Sequence, residues 1–159
     1  MCDSELPGPV ARFWTEFLSQ TGRPADTPLY DSFHFDDNER DSNVLAELVL
    51  SGTKGATASL QWEYEGDGNR APAPGDLSIV TNWAGSPLCV IETTVVDVQP
   101  FDEVSEDFAA AEGEGDGSLR HWRAAHEPYF RRVCERLGRE PSADMEVVCE
   151  RFRVLFPRR

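Results

Sequence analysis

The chain contains a single lysine, Lys54, among its 15 basic residues. Arginine can replace lysine wherever only positive charge is needed. It cannot do so where the amine must lose a proton, because arginine stays charged at any accessible pH. A lone lysine in an arginine-rich chain therefore indicates a specific role, either as a base with a lowered pKa or as a fixed charge.

Lys54 lies in the turn Gly52-Thr-Lys-Gly-Ala-Thr57. The two glycines allow the backbone to turn tightly and to approach a ligand. Lys54 and Thr57 are three residues apart across this turn, so their side chains can converge. The pair suits a lysine that activates a hydroxyl nucleophile, or one that holds a phosphate. The alternative is a purely structural turn between a helix and a strand.

Glu92 lies within the apolar segment 88–96, which predicts a strand buried on both faces. A carboxylate in such a strand is costly unless it has a partner. We therefore expect Glu92 to pair with Lys54 or Thr57. The alternative is a position at the sheet edge, where Glu92 reaches water.

Acidic residues alternate with glycines in the segment Glu112-Gly-Glu-Gly-Asp-Gly-Ser118. An EF-hand is excluded because Arg123 stands where the loop needs its last glutamate. Two interpretations remain: Asp116 or Ser118 caps the next helix, or the acids hold a divalent metal through Glu112, Glu114 and Asp116.

The predicted helix 118–138 carries Trp122, His126 and Phe130 on one face, with Arg123 at its edge. A tryptophan beside an arginine suits stacking on a nucleobase. Core packing is the alternative for Trp122, and a satisfied core histidine is the alternative for His126.

Periodicity predicts helices at 7–21, 41–51 and 118–138, the last interrupted near Pro128. It predicts strands at 56–64, 77–83, 88–98 and 145–156, with a turn-rich loop at 65–75 and a loop or short strand at 30–37. Helices and strands do not alternate, so the expected fold class is α+β, with a small, mainly antiparallel barrel or curled sheet and flanking helices.

The net charge of −14 argues against nonspecific nucleic-acid binding, and no duplex DNA partner is expected. No apolar run is long enough to span a membrane, and the N-terminus lacks the features of a signal peptide. We expect a cytoplasmic protein. The cysteines 2, 89, 134 and 149 form no metal or redox motif and are expected to be reduced thiols.

Four segments together resemble the ASCH domain family, in its bacterial stand-alone branch: SGTKGAT, PLCVIETTVV, PFDEV and EGEGDGSLRHWRAAHEPYF. The resemblance covers about residues 28–156. It implies a PUA-like β-barrel over 28–159, with residues 1–27 as an N-terminal helix packed on it. It also implies a cleft suited to single-stranded RNA or to a modified nucleoside.

Two activities are known among such relatives. The first is a ribonuclease acting on single-stranded RNA, assisted by a divalent metal such as manganese, and the second is an amidohydrolase on acetylated cytidine that needs no cofactor. The resemblance carries catalytic roles to Lys54, Thr57 and Glu92. The substrate-binding residues expected with them are Ser118, Trp122, Arg123, His126 and Trp83. The leading expectation is ribonuclease-like hydrolysis, and a non-catalytic binding module is the other alternative.

Overall fold

The computed structural model describes residues 6–65 and 69–157. Cys2 and residues 66–68 of the predicted loop 65–75 lie outside them. The helices are α1 (Gly8–Thr21), α2 (Glu39–Leu50), α3 (Glu106–Glu112) and α4 (Leu119–Leu137). The strands are β1 (Asp31–Phe33), β2 (Ala56–Leu60), β3 (Leu77–Thr81), β4 (Pro87–Pro100) and β5 (Glu146–Phe156).

The five strands form one sheet in the order β1-β3-β4-β5-β2. Only the β1–β3 pair is parallel, and the other neighbouring pairs are antiparallel. The long strands β4 and β5 carry irregularities in their register, and the sheet curls into a half-barrel. The expected α+β class with a mainly antiparallel, curled sheet is confirmed.

Apolar residues cover both faces of this sheet. On one face, α1 packs Trp14 and Phe17 against Ile79 and Val90. On the other face, α2 packs on β3, β4 and β5. At the end of the sheet formed by β5 and β2, α3 and α4 bury Phe108, Trp122 and Phe130. Cys89, Cys134 and Cys149 are buried and form no disulfide bond among the described residues.

The structure corrects the predicted course of the chain at two places. The first is the strand predicted over 56–64. β2 ends at Leu60, and the rest of the alternating pattern forms a 3-10 turn over Gln61–Tyr64. The Glu63 carboxylate accepts the Leu60 N–H, which stabilises that turn. The short helix α3, which Ser105 caps, was not predicted from the sequence pattern. Pro128 lies inside a single continuous α4.

Within residues 6–65 and 69–157, no helix is long and apolar enough to cross a membrane.

The Lys54 turn is held by backbone hydrogen bonds to two helices. Lys54 N–H donates to Leu48 O at the end of α2, and Gly55 N–H donates to Ala111 O in α3. Gly113 ends α3 with a φ of 67°, and a Cβ at this position would collide with the carbonyl oxygen of Thr53. Gly113 therefore allows the Lys54 turn and the end of α3 to come into backbone contact.

We predict that Gly113→Ala lowers the free energy of unfolding by roughly 3 kcal/mol, since left-handed backbone costs about 1–2 kcal/mol and overpacking adds about 1–3 kcal/mol. Gly22→Ala is the matched control. Gly22 also has a positive φ, of 69°, but its Cβ would meet nothing within 4 Å. Urea unfolding of both variants measures the difference, and equal losses would contradict a tight contact at Gly113.

Candidate functional site

A cavity of about 230 Å³ lies inside the curl of the sheet. Its wall includes side chains from β1, β2, β3 and β5, from α4, and from the residues that end α3. Lys54, Thr57, Glu112, Glu114 and His126 are among them. The curl thus gathers into one space several residues that lie far apart in the chain.

Lys54 is 2% exposed, and its ammonium lies between two carboxylates. Nζ is 2.8 Å from Glu112 Oε1 and 3.1 Å from Glu114 Oε2, and it lies over the ring of Phe35. Burial lowers the pKa of Lys54, but the two carboxylates outweigh it and raise the pKa above its ordinary value. Lys54 is therefore a fixed positive charge.

Glu112 is almost fully buried and is the centre of the network. It accepts hydrogen bonds from Lys54 and from Trp122 Nε1, and its Oε2 lies 3.2 Å from His126 Nε2. Burial alone would raise the pKa of Glu112, but Lys54 and His126 lower it well below the usual range. This carboxylate stays ionised because donors surround it.

His126 lies between two acceptors, which decides its protonation. Nε2 faces the Glu112 carboxylate, and Nδ1 is 2.8 Å from the carbonyl oxygen of Trp122. Neither partner can donate, so both ring nitrogens must carry hydrogen. Burial lowers the pKa of His126, but Glu112 outweighs it and raises the pKa. The ring is therefore an imidazolium. It is stacked on the Trp122 ring, with the two ring centroids 4.3 Å apart.

Glu114 is the more accessible carboxylate of the network, with 16% of its side chain exposed. Burial and the charge of Glu112 raise the pKa of Glu114, and Lys54 lowers it. The net effect is a pKa above the ordinary value. A carboxylate with a raised pKa at a cavity wall is suited to take up and return a proton.

The expected pairing of Glu92 with Lys54 or Thr57 is wrong. Glu92 lies opposite Leu77 and Arg153 in the sheet, and its Oε1 is 2.8 Å from Arg153 Nε. Residues directly opposite in neighbouring strands share a face. Leu77 packs in the cluster on the α1 side, so Glu92 lies on the face away from the cavity.

The other predicted site residues lie outside the cavity wall. Trp122, predicted to bind substrate, is instead packed in the core at 2% exposure. Ser118 caps α4 by accepting from His121 N–H, and Asp116 accepts from Ser118 N–H. Arg123 is exposed and donates to Asp102 O. Trp83 is 40% exposed, and its ring centroid lies 4.8 Å from that of His34. His34, in turn, lines the cavity.

Three acidic residues of the cavity wall, Asp31, Asp36 and Glu150, were not predicted as site residues. Asp31 accepts from Ser32 N–H, and Glu150 accepts from Thr93 Oγ1 at 2.6 Å. Neither Asp31 nor Glu150 forms an ion pair with a described residue. Burial raises the pKa of both. Glu150 directly follows the apolar run 147–149 in a predicted strand, which is the same signal that pointed to Glu92.

The predicted metal ligands do not fit a resident divalent cation. Ligand atoms of Glu112, Glu114 and His126 do lie within 4.8 Å of one another, but Asp116 is outside this group. The Lys54 ammonium already binds both carboxylates. The His126 nitrogens face acceptors and carry hydrogen, so neither offers a lone pair to a metal.

We predict that manganese does not stabilise the protein, because a metal would have to displace the buried ammonium. Thermal unfolding with millimolar manganese should give the same midpoint as unfolding with EDTA. For Lys54→Met, which removes the ammonium that the two carboxylates share, we expect manganese to raise the midpoint. A rise in the unaltered protein that Glu114→Gln abolishes would instead indicate a metal site.

We predict that His126 makes stability depend on pH. The folded state holds its proton more tightly than the unfolded chain, so the stabilisation is complete below the unfolded pKa of about 6.5 and is lost as pH rises through the raised, folded pKa. The difference in unfolding free energy between the unaltered protein and His126→Asn should therefore shrink with rising pH.

Urea unfolding of both proteins across this range measures the effect. Parallel profiles for the unaltered protein and His126→Asn would contradict an imidazolium at this position.

Comparisons with known proteins agree with this architecture. The family model of the ASCH domain matches residues 31–156. The ASCH domain structure from Lactobacillus crispatus JV V101 is similar, with 39% identity, a TM-score of 0.86, and coverage of 94% of this chain and 96% of that one. Protein EF3133 from Enterococcus faecalis V583 is 33% identical, with a TM-score of 0.84 and coverage of 92% and 87%. No curated protein matches the chain. With its PUA-like half-barrel, this chain belongs to the ASCH domain family.

Proposed function

We propose that this protein is a hydrolase that binds a small nucleoside-like molecule in the cavity and cleaves an acyl amide bond on it. The observation that carries the proposal is the Lys54 ammonium, fixed between Glu112 and Glu114 in a cavity wall that also contains Thr57. A fixed cation, an adjacent carboxylate and a hydroxyl are the parts that acyl transfer needs.

The charge of the cavity wall favours a small neutral ligand. The two cations, Lys54 and His126, are already paired with Glu112 and Glu114. Asp31 and Glu150 add carboxylates that no described cation neutralises. A phosphodiester chain would meet repulsion here, whereas the amino group of a nucleobase would find acceptors. An acylated nucleoside thus fits better than single-stranded RNA.

In the proposed reaction, Thr57 Oγ attacks the acyl carbon while Glu114 takes the hydroxyl proton. The Lys54 ammonium stabilises the negative charge that develops on the acyl oxygen. The C–N bond then breaks, and Glu114 returns the proton to the leaving nitrogen. Glu114 then takes a proton from water, whose oxygen attacks the acyl carbon of the Thr57 ester. As the bond to Thr57 Oγ breaks, Glu114 returns the proton to that oxygen, and the acyl group leaves as a carboxylic acid. This assignment gives Lys54 the role of a charge, not that of a base.

Ribonuclease activity on single-stranded RNA is the second candidate, and one observation favours it. The Lys54 ammonium and the His126 imidazolium both lie beside Glu112, so two cations are close together at one cavity wall. Such a pair would stabilise a phosphoryl oxygen if the RNA displaced a carboxylate from it. Binding of a ligand without catalysis is the remaining alternative.

We predict that the purified protein hydrolyses N4-acetylcytidine and leaves a single-stranded RNA oligonucleotide intact. Thr57→Val should reduce kcat by at least about a hundredfold, since it removes the nucleophile, and Glu114→Gln should reduce it by about 10²–10⁴-fold, as expected for a lost general base. Chromatography of the cytidine product and gel analysis of the RNA measure both activities, with and without manganese.

Thr94→Val is the matched control, because Thr94 is exposed on β4 and is absent from the cavity wall. RNA cleavage that Lys54→Ala abolishes would favour the ribonuclease candidate. Binding of the nucleoside by nuclear magnetic resonance without turnover of either substrate would favour the binding module.

A further inference from the structure

We infer a second ligand site between α1 and the segment that follows it, for a small apolar monocarboxylate. It does not depend on the proposed function. The site is a cleft of about 250 Å³. An apolar cavity of about 150 Å³ already holds a benzene-sized molecule, so the space suits a ligand of this size.

This cleft lies on the opposite side of the sheet from the main cavity. Successive side chains of a strand point to opposite faces. In β3, Ser78 lines the cavity, whereas Leu77 and Ile79 pack in the cluster that contains α1. A molecule in the cleft would therefore not touch the Lys54 network.

The wall of the cleft is mainly apolar. Its apolar side chains are Leu6, Ala11, Trp14, Leu18 and Ala25, and its polar ones are Thr15, Ser19 and Arg23. Thr15 is already bonded to the carbonyl oxygen of Ala11. A ligand would thus place a hydrocarbon body against α1 and a polar group towards Arg23.

Trp14 lines the cleft, and its buried indole carries an unused hydrogen-bond donor. Its side chain is 3% exposed, and its Nε1 has no acceptor among the described residues. A buried N–H without an acceptor is unfavourable, so an oxygen atom that reached it would be bound. The ligand's polar group must therefore be an acceptor.

Arg23 supplies the positive charge in the wall of the cleft. Its guanidinium lies 4.9 Å from the Phe17 ring centroid, and no described carboxylate lies within ion-pair distance of it. By contrast, Arg70, Arg132 and Arg153 each form an ion pair. The Arg23 backbone is fixed, since its N–H donates to Leu18 O after the left-handed Gly22. An anionic acceptor is thus the complementary group, and a carboxylate on an apolar body satisfies both Arg23 and Trp14.

The test is a titration of the ¹⁵N-labelled protein with hexanoate, followed through the indole N–H signals. The Trp14 signal is identified by its loss in Trp14→Phe, which removes the donor and keeps an aromatic ring. We expect a saturable shift of this signal with hexanoate. Hexan-1-ol, which lacks the charge, should bind at least about tenfold more weakly, and acetate, which lacks the apolar body, should not bind.

Arg23→Met should weaken hexanoate binding by about tenfold, whereas Arg12→Met should leave it unchanged, because Arg12 is exposed on α1 and does not line the cleft. Thermal unfolding of each variant confirms that it is folded before titration. Three results would overturn the inference: no saturable shift, equal affinity for hexan-1-ol and hexanoate, or full affinity in Arg23→Met.

Discussion

The buried ion pair between Lys54 and Glu112 is the interaction on which the rest of the site depends. Removing one partner of such a pair leaves an uncompensated buried charge and costs about 3–5 kcal/mol. The protein satisfies Glu112 with three donors, and Lys54 with two carboxylates. The close contact at Gly113 and the cap that ends α3 bring these groups together. Fold and site are therefore coupled, since the charges stay buried only while α3, α4 and the Lys54 turn are in place.

The sequence was sufficient for the main elements and for the importance of Lys54. Helices α1, α2 and α4 and the strands β3, β4 and β5 follow directly from hydrophobic periodicity. The single lysine was informative because arginine dominates the other basic positions. Glu112, Glu114 and His126 were also identified as candidates, but as separate metal or substrate ligands and not as partners of Lys54.

The residues that contact Lys54 could not be assigned from the sequence. Their identity depends on which face of the sheet a side chain occupies and on contacts between distant segments of the chain. Glu92 and Glu150 look alike in sequence, each a carboxylate in an apolar strand. Register decides between them: Glu92 lies across from Leu77, on the α1 side, whereas Glu150 lies across from Thr57, in the cavity wall. Likewise, α3 is too short for a clear periodic pattern, and without it the position of Glu112 relative to Lys54 is undefined.

The burial of Lys54 also has a chemical consequence. Amine-directed reagents such as acylating labels or crosslinkers need a free, accessible amine, and this protein's only lysine side chain is 2% exposed and charged. Lys54 should therefore resist labelling while the surrounding network is closed. Its rate of acylation then becomes a direct measure of how often α3 and the Lys54 turn separate in solution.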